Sequence, residues 1–177
     1  MSQNTPAQVV KPADKVLLGK VVLNIAPGKS GEMVERASKV LELLTDQKPN
    51  QRKAKKTIRD FGIHLGEPIA VVVTVRKGKA LAVLKNLLLA KSNIINESSF
   101  DDMGNVAFGI KEHIDIPGVR YDPAVGIFGM DVCVSLEKQG LRVGRRRRSQ
   151  ARAGREQRVT KEEAISFFKA TYGLEVR

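Results

Sequence analysis

The chain has 177 residues, 42% apolar and 28% charged, with 31 Lys and Arg against 19 Asp and Glu and a formal charge of +12. That length supplies one ordinary core with extensions, and the excess positive charge calls for a polyanionic partner, either nucleic acid or an anionic membrane surface. No apolar run approaches the roughly 20 residues of a bilayer span, Met1-Ser2-Gln3-Asn4-Thr5-Pro6 does not read as a secretory signal, and Cys133 stands alone, which excludes an internal disulfide and fits a reducing cytoplasm.

Residues 1–13 are polar, contain Pro6 and Pro12, and read as a flexible tail ahead of a single domain spanning 14–177. Lys15 to Ile25 reads as a strand, broken by Ala26-Pro27-Gly28. Ser30 is then placed to cap a helix running to about Asp46, with Met33, Ala37, Val40, Leu41 and Leu44 on one face. Gln47 to Gly66 has no clean period and reads as a loop or a loosely paired hairpin. Ile69 to Arg76 has the β-branched density of a strand. Lys79 to Ala90 reads as a helix with Leu81, Leu84 and Leu88 inward.

Turn residues at Asp102-Met103-Gly104-Asn105 interrupt Phe100 to Ile116, which reads as short strand pieces. Met130, Val132, Val134 and Leu136 alternate with Asp131, Cys133 and Ser135, the pattern of a half-buried strand. Thr160-Lys161-Glu162-Glu163 is a capping box, Val159 and Ala164 form a hydrophobic staple, and Ala164, Ile165, Phe168 and Tyr172 give the inward face. The fold class expected is α+β: a mostly antiparallel sheet with helices packed on one side, plus a protruding basic loop.

The charge is local. Residues 48–59 hold Lys48, Arg52, Lys53, Lys55, Lys56 and Arg59 and no acid. Residues 142–158 hold Arg142, Arg145, Arg146, Arg147, Arg148, Arg152, Arg155 and Arg158 against Glu156 alone. The rest of the chain is close to neutral. The second segment contains no Lys. The guanidinium fork matches phosphate with paired donors and stacks on bases, whereas an ammonium is a point charge. RNA contact accounts for this choice; a solvated charge run or a nuclear-import signal accounts only for the charge.

Gly28-Lys29-Ser30 imitates a phosphate-binding loop, but that motif needs a glycine where Leu23 stands, and Pro27 removes an amide donor. Glu112, His113 and Asp115 do not converge if the stretch is a strand, because Glu112 then points away from the other two. No metal, cofactor or catalytic set is called for, and the reading is of a non-enzymatic protein. Phe61 and Phe100 lie in less periodic polar stretches and suit base stacking. So few aromatics point to folded RNA recognised by phosphate contacts and shape.

Larger segments are specific. They include Val22-Leu23-Asn24-Ile25, Arg36 to Pro49, Lys53 to Arg59, Phe61-Gly62-Ile63, Thr74-Val75-Arg76, Phe100 to Asn105, Phe108 to Asp115, Tyr121-Asp122-Pro123, Gly126 to Asp131 and Lys161 to Ala164. Together they resemble the large-subunit ribosomal protein five family, archaeal and eukaryotic type, over roughly residues 15–177.

The resemblance implies a structural constituent of the large ribosomal subunit that binds 5S rRNA in the central protuberance. It implies rRNA contacts at Lys20, Asn24, Gln47 and Thr74, which join the arginines Arg145, Arg146, Arg147 and Arg148. It implies that the basic loop, within residues 48–67, reaches P-site tRNA through Lys53, Lys55, Lys56, Arg59 and His64. It further implies contact with large-subunit rRNA, with neighbouring ribosomal proteins, and with a head protein of the small subunit near Lys111 to Val125. The expected location is the cytoplasm, ribosome-bound, with no membrane partner. Lys29 stands where relatives usually carry glutamate, and His64 where they usually carry arginine. The alternative reading is a free-standing basic RNA chaperone or regulatory RNA binder.

Overall fold

In a strand, every second side chain shares one face. Three segments of this chain place aliphatic residues at every second position, and those segments build the centre of the molecule. A computed structural model describes residues 15–28 and 30–177. The tail expected for residues 1–13, and Lys29, lie outside the described residues. The chain runs β1 (Val16–Ile25), α1 (Glu32–Thr45), β2 (Asn50–Lys53), β3 (Pro68–Val75), α2 (Lys77–Ala90), β4 (Ile94–Ile95), β5 (Asn105–Ile110), β6 (Met130–Lys138), α3 (Lys161–Tyr172) and β7 (Glu175–Val176).

Five strands form one sheet in the order β2-β3-β1-β6-β5, with every neighbouring pair antiparallel. β4 and β7 form a short parallel pair. From the sheet, Val21, Leu23 and Ile25, Val71, Val73 and Val75, and Val132, Val134 and Leu136 all turn inward. They join Val34, Ala37, Val40 and Leu41 of α1, Ala80, Leu84, Leu87 and Leu88 of α2, and Ala164 and Phe168 of α3 in one buried cluster. The three helices therefore cover one face of the sheet, as the α+β pattern predicts.

Several local readings are corrected. Gly31, not Ser30, is the N-cap of α1; its positive φ of 84° reorients the chain, and the Ser30 hydroxyl donates instead to Glu67. Met33 is exposed and Val34 takes the inward position, because the sheet packs against the side of α1 that carries 34, 37 and 41. The same packing exposes Leu81 and buries Ala80, Leu84, Leu87 and Leu88 in α2, which starts two residues earlier than expected. For Gln47–Gly66 the paired alternative holds: β2 is an edge strand antiparallel to β3, and Ile58 bridges Ile63. A 3₁₀ turn follows at Arg59–Phe61. Residues 105–110 make one strand rather than separate pieces.

Phe100 is a core residue, not a base platform. A 3₁₀ turn at Glu97–Ser99 and a bridge to Val106 turn it inward. It packs edge-on against Phe168 at 5.9 Å between centroids. Phe168 also meets Phe167 and Tyr172, each at 5.8 Å. The capping box of α3 forms as read: the Thr160 side chain accepts from the Glu163 amide, and the Glu163 carboxylate accepts from the Thr160 amide.

Glu112, His113 and Asp115 do not lie on a strand; His113–Asp115 is a 3₁₀ turn. His113 is buried, its Nδ1 accepts from the Phe128 amide at 3.2 Å, and its own amide donates to the Phe128 carbonyl at 3.0 Å. This double tie closes the long loop between β5 and β6. Burial holds the imidazole below its ordinary value of 6.5, against the opposing charge of Glu112.

Two outcomes follow for stability. Phe168→Ala is expected to cost about 3–5 kcal/mol, read by urea unfolding, because a large ring leaves a cavity at the centre of the aromatic cluster. A His whose folded-state pKa is depressed contributes fully above its unfolded pKa. That contribution is lost as pH falls from 6.5 toward the lower folded value. Urea midpoints measured from pH 8 down to about pH 5.5 should decline below the unfolded pKa of histidine, and His113→Asn, which keeps an acceptor near the Nδ1 position, should flatten that decline.

Candidate RNA interface

The face of the sheet opposite the helices is left uncovered, and the alternation that buries Leu23 dictates what stands on it. Three rows cross the strands. In one, Asn50, Val72, Asn24, Asp131 and Gly109 are register partners in turn. In the next, Thr74, Val22, Cys133 and Ala107 align; in the third, Lys20, Ser135 and Asn105. Arg52 opposite Ala70 extends the edge. Small and polar side chains dominate these rows, and none is aromatic. Such a surface accommodates a bulky, well-hydrated partner and offers it hydrogen bonds along the strands.

Three of the expected rRNA contacts, Lys20, Asn24 and Thr74, thus converge on one face, on adjoining strands. Asn24 Nδ2 donates to Asp131 Oδ2 at 3.4 Å, a contact that leaves the amide oxygen's acceptor capacity unused. Gln47 is not in the sheet. It follows the left-handed cap residue Asp46 and stands three positions before β2, half-buried at the joint between α1 and the edge strand. Sequence reasoning missed Arg76, Asn50 and Arg52 as face residues. Val21 pairs with Val75, and Arg76 continues in extended conformation, so the next step of the ladder brings its side chain to the uncovered face beside Lys20. The signal for it was the spacing of two from Thr74.

The arginine segment is tied to this face. Residue Glu137 stands outward on β6, beside a bulge in β1 between Leu18 and Lys20. Gly19 fills the bulge, and a Cβ there would lie 2.6 Å from the Glu137 carboxyl carbon. The missing side chain makes room for Glu137, whose two oxygens accept from Arg145 at 2.6 and 3.1 Å. This fork-to-fork hydrogen bonding and the carboxylate charge raise the guanidinium pKa. Arg146 Nε donates to the Ser149 carbonyl at 2.8 Å, and Gln150 donates to the Gly144 carbonyl at 2.7 Å. Among the described residues, Glu137 is the one acid that pairs with an arginine of residues 142–158. Arg147, Arg148, Arg152 and Arg155 are exposed.

The far end of the segment is held by a buried lysine. Lys138 is 7% exposed, and its ammonium donates to Glu163 at 2.7 Å and to the Glu156 carbonyl at 3.3 Å. Partial burial pushes the Glu163 carboxyl up. The hydrogen bonds from Lys138 and the Thr160 amide, with the ammonium charge, outweigh that and hold it below the usual carboxylate range.

The second basic segment, Ala54 to Glu67, is closed by backbone pairs: Ala54 to Glu67 at 2.8 Å and Gly66 to Ala54 at 3.0 Å. Ile58 and Ile63 bridge within it. Lys53, Lys55, Lys56, Arg59 and His64 are all exposed there, and the His64 amide donates to Glu67 at 2.9 Å. Among the described residues no group of three or more His, Cys, Asp or Glu is arranged to hold a metal ion, and no helix is long and apolar enough to cross a membrane.

If the Glu137 pair fixes the arginine segment, Gly19→Ala and Glu137→Gln should each speed the initial tryptic cleavage within residues 142–155 severalfold. Global stability should change by only about 1 kcal/mol or less, since the pair is solvent-screened. Unchanged cleavage in both variants would show that the pair does not hold the segment.

Comparison with known proteins accounts for this layout. Residues 12–64 match the family described as Ribosomal protein L5, and residues 68–167 match the model of that ribosomal family's C-terminus. A large ribosomal subunit protein uL5 from Pyrobaculum aerophilum is 54% identical, over 93% of this chain and 92% of the relative. The uL5 of Archaeoglobus fulgidus is 52% identical over 90% and 89%, and that of Nitrosopumilus maritimus 45% identical over 99% of both. The uncovered polar face, the arginine segment held against it and the basic hairpin loop are therefore parts of a structural, non-enzymatic component of the large ribosomal subunit, and the chain belongs to the ribosomal protein L5 family.

Proposed function

We propose that this protein anchors 5S rRNA in the central protuberance of the large subunit through its uncovered sheet face. The observation that carries this reading is the convergence of Lys20, Asn24 and Thr74 on one face that no helix covers. A polar strand surface reads base edges and 2′-hydroxyls of folded RNA, while cations at its rim neutralise phosphates. Lys20 and Arg76 supply phosphate contacts at one end of the face, and Arg147, Arg148, Arg152 and Arg155 extend them onto large-subunit rRNA. Gln47 acts from the joint beside the edge strand. Arg145 contributes chiefly by holding its neighbours in place.

The basic loop, with Lys53, Lys55, Lys56, Arg59 and His64, contacts P-site tRNA in this reading. The loop closed by His113 and Phe128 faces the small-subunit head. The protein works ribosome-bound in the cytoplasm.

The test is a competition titration at about 0.15 M salt, where attraction between exposed charges is screened over about 8 Å. Labelled 5S rRNA is displaced by unlabelled 5S rRNA or by bulk tRNA. Strong preference for 5S rRNA is expected; equal competition would leave a general RNA chaperone instead. Asn24→Ala, Gln47→Ala and Thr74→Ala should each weaken specific binding by about 1–3 kcal/mol, and wild-type affinity in all three folded variants would overturn the assigned surface. Charge reversal at Arg147 and Arg148 should weaken binding to every RNA and flatten the dependence of log K on log salt.

A further inference from the structure

The basic loop carries a feature that phosphate binding does not use. Phe61 is 74% exposed at the end of the 3₁₀ turn. Beside it opens a recess of about 360 Å³, lined by Gly28, Ser30, Phe61, Gly62, Ile63 and Glu67. Gly62 adopts φ 64°, and a Cβ at Gly28 or Gly62 would meet nothing within 4 Å, so the glycine walls are open. At one side of the recess stands a carboxylate whose orientation is fixed. One oxygen of Glu67 accepts from the Ser30 hydroxyl, and the other accepts from the His64 amide at 2.9 Å.

A carboxylate has about four acceptor positions, so each oxygen retains capacity toward the recess. The hydrogen bonds from the His64 amide and then from Ser30 hold this carboxyl below the usual range, and it is ionised at neutral pH. An anion inside a loop that also exposes Lys53, Lys55, Lys56 and Arg59 works against phosphate binding. Its chemistry suits a different ligand group: one that stacks on an aromatic ring and presents N–H donors at its edge.

We propose that the Phe61–Glu67 recess is a nucleobase site selective for guanine, taking a base that folded RNA leaves free to stack. The ring of Phe61 supplies the stacking surface. Glu67 accepts from N1–H and the exocyclic N2 amine, two neighbouring donors on one edge that match two carboxylate oxygens. Uracil presents one N–H flanked by two carbonyl oxygens, which the carboxylate repels. Adenine and cytosine present an amine beside a ring acceptor and rank between. The lysines and arginine of the same loop neutralise phosphates of the RNA that carries the bound base. The inference rests on the basic loop facing RNA, and it adds a base preference that the charge of the loop does not supply.

The test uses the full chain, ¹⁵N-labelled, titrated with GMP, UMP and inorganic phosphate while the amides of Gly62, Ile63 and His64 are followed. GMP should shift these amides saturably, phosphate alone should not, and GMP should bind about fivefold or more tighter than UMP, the lower end of a paired-donor contact. Phe61→Ala should abolish the response; its exposure leaves the core untouched. Glu67→Gln should erase the preference for GMP, with the Ala54 and Gly66 amides reporting that the loop stays closed. No saturable shift with GMP, or identical shifts with phosphate, would overturn the site. A 5S rRNA titration of the same samples separates the two readings: retained 5S binding with no GMP response sinks the nucleobase site alone. Lost 5S selectivity with the GMP response intact sinks only the sheet-face assignment.

Discussion

The central strand β1 is hydrogen-bonded on both sides and packed on one face, and the register that follows governs everything else. Val21, Leu23 and Ile25 are 0–1% exposed. With a side-chain period of two, their burial forces Lys20, Val22 and Asn24 to the opposite face. A slip of one residue would bury a lysine and an asparagine and expose the core, so the register admits no drift. The uncovered polar surface is thus the by-product of hydrophobic burial: whatever stands between core residues on β1, β3 and β6 faces outward. This is why Thr74, some fifty positions further along the chain, joins Lys20 and Asn24 on one face without any motif linking them.

The same constraint explains how a segment with eight arginines is held beside a near-neutral body. Repulsion within such a run favours extended, solvated chain, and its apolar content is too low to bury much of it. The compensating contacts come from β6. Glu137, outward by alternation, takes Arg145; Lys138, inward by alternation, reaches Glu163 and the Glu156 carbonyl. Successive residues on one strand therefore pin both ends of the arginine segment from opposite faces of the sheet. The bulge at Gly19 is the local departure from regular pairing that makes the first of these contacts possible.

Much of this was legible in the sequence, for identifiable reasons. Period-two alternation fixed β6, and the reciprocal cap at Thr160 and Glu163 fixed the start of α3, because both signals are local. The rotation of α1 and α2 was not legible. Met33 and Leu81 fit the apolar period as well as Val34 and Ala80 do, and only the position of the sheet decides between them. Phe100 read as a stacking residue because its neighbours are polar; the bridge to Val106 that turns it inward is a contact made across a turn. His113 looked like a strand residue because its partner, Phe128, lies fifteen positions away. Arg76 keeps the two-residue spacing from Thr74, but its place directly before α2 obscured that signal.

The uncovered face also has a polarity along the strands. At one end stand Lys20 and, one ladder step past Val75, Arg76, with Arg145 beyond them on Glu137. At the other end Asn24 lies beside Asp131, with Asn50 across the intervening Val72. A phosphate is attracted to the first end and repelled by the Asp131 carboxylate at the second, while a base edge or 2′-hydroxyl is accepted by the amides there. In the proposed function, charge and hydrogen bonding divide the work: the cationic end would set affinity and its salt dependence, and the amide end would discriminate among RNAs. Because both ends sit on the same three rigid strands, their spacing is fixed by the roughly 3.2–3.4 Å rise of a β-strand. An RNA satisfies both only if its own fold holds a phosphate and a readable edge at that separation. Selectivity for a folded RNA then requires no aromatic platform on the sheet, and none stands among its outward residues.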